Sequence, residues 1–231
     1  MQLFITDFET KWTSIKISNK EILDQVRKVL RMKIWDIIFV QKENIRYKVQ
    51  IDNRDNQNIF WTIIETINWT DNKDTHWLAI AMPNKWDKAE LIVQKLSEIW
   101  IKKIYFRPSE RSIIRERNEK KLERINKIAK EAIEQSRWRF LPEIRFEKDI
   151  ANIIEWKNIV AFDKTDSDAK KSIESNWNEI LWIVWPEWWL TENDYAKFWN
   201  KIKTVSLWDT VLRTETASII AAWTLQNNYY F

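Results

Sequence analysis

Residues 180–195 read I-L-W-I-V-W-P-E-W-W-L-T-E-N-D-Y, and residues 205–217 read V-S-L-W-D-T-V-L-R-T-E-T-A. The apolar run 180–184 has the length and composition of a buried strand. Thr191 with Asp194 has the form of a capping box that opens a helix. Between the two the chain must turn sharply, and sharp turns draw on Gly for backbone angles that other residues resist. This turn instead carries Trp185, Trp188 and Trp189 around Pro186 and Glu187.

Composition accounts for the contradiction. The 231 residues include 17 Trp and no Gly, whereas average usage of roughly 7% would supply about 16 Gly. The Trp residues also stand where Gly belongs. Examples are Trp35 in K-I-W-D, Trp69 after Asn68, Trp86 in N-K-W-D and Trp177 in N-W-N. Trp100 follows an apolar helical pattern, as a C-terminal capping Gly does. One reading covers all of them: each Trp stands for a Gly, as when a source that reads UGA as glycine is translated with UGA as tryptophan. The alternative is a protein truly rich in Trp and free of Gly.

With Gly at those positions the two stretches become I-V-G-P-E-G-G-L-T and V-S-L-G-D-T-V-L-R-T-E-T-A. The pair resembles the bacterial 16S rRNA uridine N3-methyltransferases (RsmE) of the SPOUT superfamily. The similarity extends over nearly the whole chain. M-P-N-K-W-D-K-A-E-L-I-V-Q-K-L-S-E-I-W-I, from Met82, resembles the family's Lys-Gly-x-x-x-Glu and Glu-Leu-Gly elements, with Ile99 in place of Leu. E-A-I-E-Q-S-R-W-R-F-L-P-E-I, from Glu131, resembles its Glu-Gln-Ser-x-Arg element. The resemblance implies an α/β protein: a PUA-like RNA-binding β-barrel over 1–70, then a SPOUT methyltransferase domain over 76–231 with a deep C-terminal trefoil knot. It also implies S-adenosyl-L-methionine as cofactor, small-subunit rRNA as partner and a homodimer joined through the knotted domains.

Bulk properties narrow the field independently. Without Cys the chain has no disulfide, thiolate chemistry or Cys-based metal site, and His76, its only His, has no second imidazole for a dyad or metal cluster. No metal is expected. The N-terminus M-Q-L-F-I-T-D-F-E lacks the basic and apolar regions of a signal peptide, and no apolar run reaches the length of a membrane span, so a cytoplasmic location is expected. Net charge is +4, but residues 102–139 carry 13 Lys+Arg against 6 Asp+Glu, a net of +7, which leaves −3 for the remainder. That stretch is either a solvated helix face laced with ion pairs or a surface for RNA phosphates.

Short β-type runs at 2–5, 14–17, 36–41, 45–51 and 59–67 predict a small barrel in the first part. A helix over 20–31, with Asn19 as N-cap, interrupts them. Its Arg27 and Arg31 are either exposed helix charges or, as the resemblance implies, RNA contacts. Lys85, Arg107, Arg111 and Arg137 join them as RNA-binding candidates. The polar stretch 68–75 marks the boundary. Beyond it, strands are expected at 78–82, 103–106, 158–162, 179–184 and 203–206, and helices at 87–99, 118–136, 146–154, 191–198 and 214–225. Alternating strands and helices imply a mostly parallel sheet with both faces covered.

Methylating a uracil nitrogen requires a sulfonium donor held in line with the base and stabilisation of negative charge growing on the uracil oxygens. Backbone turns at Trp185, Pro186, Glu187, Trp188 and Trp208 would approach the donor, with Leu181, Ile183, Leu207, Val211, Leu212 and Thr214 completing its pocket. Arg213 offers a planar fork of N–H donors for a carbonyl oxygen and also borders the pocket. Glu215 either orients Arg213 or acts as general base, and Glu187 either contacts substrate or caps a helix. Two further readings stay open: another SPOUT RNA methyltransferase acting on ribose or a different base, and a non-catalytic RNA-binding assembly factor.

Overall fold

The computed structural model describes residues 2–55, 57–69, 75–109, 112–148, 158–162, 179–184, 202–205 and 210–226. The chain forms two compact units: Met1–Asn72 with Ile133–Phe140, and Lys73–Ala132 with Leu141–Phe231.

In the first unit β1 (Leu3–Ile5), β2 (Glu9–Lys11), β3 (Ser14–Ile17), β4 (Ile37–Lys42), β5 (Ile45–Arg54) and β6 (Ile59–Asn68) form one sheet in the order β1-β4-β5-β6-β3-β2. Every pairing is antiparallel except β1 beside β4. Alternate residues point inward, so Ile15, Ile17, Ile38, Val40, Val49, Ile51, Ile59 and Trp61 make one buried cluster. β2 escapes a reading of the sequence because its three residues are all exposed and carry no apolar alternation. Helix α1 (Lys20–Asp24) starts where Asn19 accepts from the N–H groups of Glu21 and Ile22. It is shorter than the pattern suggests: Gln25–Val29 forms a π-helical turn, closed by Leu30 N–H bonding to the Gln25 carbonyl.

The second unit holds β7 (Thr75–Ala81), α2 (Trp86–Glu98), β8 (Lys103–Arg107), β9 (Glu143–Phe146), β10 (Asn158–Phe162), β11 (Glu179–Val184), β12 (Ile202–Val205) and α4 (Thr214–Gln226). The unit division falls within α3 (Glu119–Ser136). The sheet order is β12-β10-β11-β7-β8-β9, and every pairing is parallel. One face contributes Leu78, Ile80, Phe106, Val160, Trp182 and Val184 to a cluster with Ile92, Val93 and Leu96 of α2, Ile125 of α3 and Ala221 of α4. The other face contributes Ala79, Tyr105, Ile159, Ala161, Leu181 and Ile183. Strands buried on both faces read as continuous apolar runs, which is why β10 and β11 are legible in the sequence.

One expectation needs correction. Residues 146–154 were expected to be a helix, but Phe146 closes strand β9, in register with Phe106; Glu143–Phe146 is only four residues long and carries too little alternation to announce a strand. Residues 149–154 lie outside the described residues, as does the expected helix at 191–198. The path through 185–201 and 206–209, on which the expected knot depends, also lies outside them.

Six described residues have left-handed backbone, and three are Trp: Trp12 at φ 55°, Trp35 at φ 81° and Trp100 at φ 78°. Trp12 is the first residue of the two-residue turn between β2 and β3, where a type II′ turn takes Gly. Trp35 is the third residue of the turn closed by Asp36 N–H on the Lys33 carbonyl, at 3.2 Å; a positive φ there defines a type II turn and again calls for Gly. Trp100 follows α2. Its N–H bonds to the Ser97 carbonyl at 3.2 Å, and Ile101 N–H bonds to the Leu96 carbonyl at 3.0 Å. Those two bonds make a Schellman cap, whose left-handed residue is usually Gly.

Candidate active site and nucleic-acid interface

Because β7, β10, β11 and β12 run parallel, Ala81, Phe162, Val184 and Val205 end at the same edge of the sheet. Ligands of open α/β sheets bind outside that carboxyl edge. Leu181 and Ile183 are fully buried on β11, on the face opposite Trp182 and Val184. They are thus walls of the sheet that leads into the expected donor turn. Trp185, Pro186, Glu187, Trp188, Leu207 and Trp208 lie outside the described residues.

The start of α4 supplies the other half of the candidate site. Val211 is exposed, Leu212 half-buried, Arg213 exposed and Thr214 buried. Ala217 N–H bonds to the Arg213 carbonyl at 2.9 Å, and Ser218 Oγ donates to the Thr214 carbonyl at 2.7 Å. Glu215, in the first turn, keeps only 13% of its side chain exposed and lies 3.4 Å from Lys88 Nζ. Lys88 belongs to the first turn of α2, a few residues beyond the end of β7. This ion pair therefore fixes the N-terminal turn of α4, and Arg213 with it, beside the carboxyl edge of the sheet; α4 also packs on β7, β11 and α2. The sequence left Glu215 to orient Arg213 or act as base. The structure brings it to Lys88, a residue sequence reasoning passed over although it lies inside the segment that starts at Met82. Among the described residues no three His, Cys, Asp or Glu side chains gather as a metal site.

The basic candidates separate by exposure. Arg31, Lys85 and Arg137 are exposed, and Arg27 is half-buried with Nη2 3.5 Å from the Asn58 carbonyl. Arg31 and Arg137 also have left-handed backbone, at φ 50° and 59°. Arg107 differs from the other candidates: it is 3% exposed, at the end of β8. Its strand position gave no sign of this, because burial there depends on neighbours far away in sequence. Arg111 lies outside the described residues.

The family described as the RNA methyltransferase domain matches residues 70–226. The chain belongs to this RNA methyltransferase family. The match spans the parallel-sheet unit, so the carboxyl edge just described belongs to an enzyme fold. The ribosomal RNA small subunit methyltransferase E of Bacillus subtilis is 27% identical over 229 residues, covering 90% of this chain and 88% of the relative. A methyltransferase E from Neisseria gonorrhoeae, solved bound to S-adenosyl methionine, superposes with a TM-score of 0.83 at 20% identity, covering 99% of this chain and 98% of that one. A Legionella pneumophila protein, solved in complex with the bound cofactor SAM, gives a TM-score of 0.75 at 20% identity, with 98% of this chain and 96% of that one covered. These superpositions cover residues of both units, so the fold of each, the N-terminal sheet included, has its counterpart in those structures.

Proposed function

We propose that this RNA methyltransferase transfers a methyl group from S-adenosyl-L-methionine to N3 of a uridine in the 16S rRNA of the small ribosomal subunit. The observation that carries the reading is the Lys88–Glu215 pair, which sets Arg213 beside the carboxyl edge from which β11 and β12 lead into the two motif stretches. The B. subtilis relative's name and the donor bound in two structural neighbours support the substrate class and cofactor. Arg213 would stabilise charge on a uracil oxygen, and the residues at 185–188, 207–208 and 211–214, with β11's Leu181 and Ile183, would hold the donor. Bound there, S-adenosyl-L-methionine supplies the electrophilic methyl group. The protein acts in the cytoplasm as a homodimer paired through its C-terminal domains. The test is tritiated methyl transfer to undermethylated small-subunit RNA, followed by mapping with reverse transcription. N3-methyluridine blocks Watson–Crick pairing and stops the polymerase, whereas ribose methylation leaves pairing intact. Donor binding without transfer would favour a non-catalytic assembly factor.

The same proposal includes the reading of Trp as Gly. Trp12, Trp35 and Trp100 occupy three distinct Gly-demanding backbone positions, and the three residues are 92%, 69% and 44% exposed. The indole N–H groups of Trp61 and Trp182 are buried without a hydrogen-bond partner among the described residues, whereas buried Trp usually finds one. Two synthetic genes, one encoding Trp and one Gly at all 17 positions, distinguish the alternatives. The glycine protein should be soluble, dimeric and able to bind the donor. Equal donor binding by the tryptophan protein would overturn the codon reading.

A further inference from the structure

We infer that Arg46 is a positioning residue for an RNA-phosphate site on the first unit, holding the 137–139 segment so that Arg137 and Arg139 face solvent; this rests on the reading of the chain as an enzyme that binds RNA. Arg46 lies on β5 opposite Gln41 of β4. It is 6% exposed and Gln41 is 2% exposed. Arg46 Nε and Nη2 donate to Gln41 Oε1 at 3.0 and 2.7 Å. Nη1 donates to the Arg137 carbonyl at 3.0 Å, and Nη2 also donates to the Trp138 carbonyl. Gln41 Nε2 donates to the Arg139 carbonyl at 2.6 Å and to the Glu43 carbonyl at 3.1 Å. Two buried side chains therefore grip three successive carbonyls. The grip holds the left-handed backbone of Arg137, and the side chains of Arg137 and Arg139 remain exposed.

Among the described residues none of Arg46, Arg137 and Arg139 forms an ion pair. Burial, with Arg139 nearby, pushes the Arg46 guanidinium down to about 10, which leaves Arg46 a cation at neutral pH. A buried cation without a carboxylate is costly. Arg46 is retained by its hydrogen bonds and by the Phe39 ring, whose centroid lies 5.8 Å away. An apolar residue would fill the same space, but it would supply neither the grip on the carbonyls nor the charge. Two exposed guanidiniums backed by a third make a site for the phosphodiester backbone of RNA, which bidentate Arg recognises well. The bonds to residues 137–139 go to main-chain carbonyls, so they do not depend on whether residue 138 carries an indole.

The experiment is binding of undermethylated small-subunit RNA over a salt series, with donor affinity measured in parallel. Arg137→Gln with Arg139→Gln should lower the salt slope by roughly 1.4 to 1.8, the loss of two phosphate contacts. Arg46→Met should weaken RNA binding roughly fivefold or more and lower the slope as well, although the side chain it removes is buried. Arg46→Lys keeps the charge but not the fork, and should behave like Arg46→Met. Gln41→Met releases Arg139 while leaving Arg46 in place, and serves if Arg46→Met does not fold. Adding Arg46→Met to the Arg137/Arg139 double variant should cause no further loss, because the residues act as one unit. Donor affinity should not change in any variant. Wild-type RNA affinity and slope in Arg46→Lys and Gln41→Met would overturn the proposal, as would a large extra loss in the triple variant. A wild-type protein that binds no RNA would instead refute the functional reading beneath it.

Discussion

Replacing Trp12 or Trp35 with Gly should stabilise the first unit, and replacing either with Ala should not. Both residues sit in left-handed backbone, at φ 55° and 81°, and are 92% and 69% exposed. Left-handed backbone costs an L-residue about 1–2 kcal/mol because Cβ crowds the following carbonyl. Gly lacks that Cβ, so each substitution recovers this cost. Against it stands the larger conformational freedom of Gly in the unfolded chain, about 0.5–1 kcal/mol. The two residues are so exposed that little buried contact is lost. The net is about 0.5–1 kcal/mol per site. The turns are separate, joining β2 to β3 and preceding β4, so the effects should add to about 1–2 kcal/mol. For a unit of this size that is a rise of about 4–8 °C per kcal/mol in Tm. The assay is thermal and urea denaturation of the single and double variants, each beside its Ala counterpart, which removes the same indole but keeps Cβ. Ala variants as stable as the Gly variants would trace the gain to loss of the indole and refute the backbone argument. A fall in stability in either Gly variant would refute it outright.

Four other outcomes follow from the structure. Arg213→Ala should cut turnover strongly while leaving donor affinity within a few fold, and near-normal turnover would remove Arg213 from the mechanism. Lys88→Met leaves the Glu215 carboxylate largely buried without its cation; breaking a fully buried pair costs roughly 3–5 kcal/mol, so this partly wet one should cost about 1–3, read from urea denaturation, and an unchanged midpoint would show that the pair does not hold α4. Reversing the charges of Arg27 and Arg31 should weaken RNA binding and flatten its salt dependence; an unaltered slope would mean that this segment does not touch phosphate. Burial pushes the Tyr105 phenol up to about 12 from the usual 10.0. Its neutral form is favoured in the fold, so the stability it lends is present below pH 10 and should be lost as pH rises from about 10 to 12; a Tm that is flat across that window in wild type but falls in Tyr105→Phe would contradict this.

Much of this was legible in the amino-acid sequence by itself. β10, β11 and the spans of α2, α3 and α4 follow from local pattern: continuous apolar runs for strands buried on both faces, and helical spacing such as Ala89, Ile92, Val93 and Leu96 on one face of α2. The turns at Trp35 and Trp100 were legible too, because a backbone needing Gly leaves a mark in its neighbours, Asp36 after one and the end of α2 before the other. The family could likewise be read from short motifs, since a ligand that must be approached by backbone constrains consecutive residues.

What local pattern could not carry was decided by tertiary contacts. β2 and β9 are short, and they are strands because a neighbouring strand supplies their hydrogen bonds. α1 gives way to a π-helical turn whose Val26 is fully buried. Arg107 is buried and Arg137 exposed although both are arginines in a basic stretch. Lys88 meets Glu215 across more than half the chain, and Arg46 reaches the carbonyls of residues 137 and 138, 91 and 92 positions away. The cost of desolvating a charge, and the partner that offsets it, are properties of the folded interior, so no window of sequence contains them.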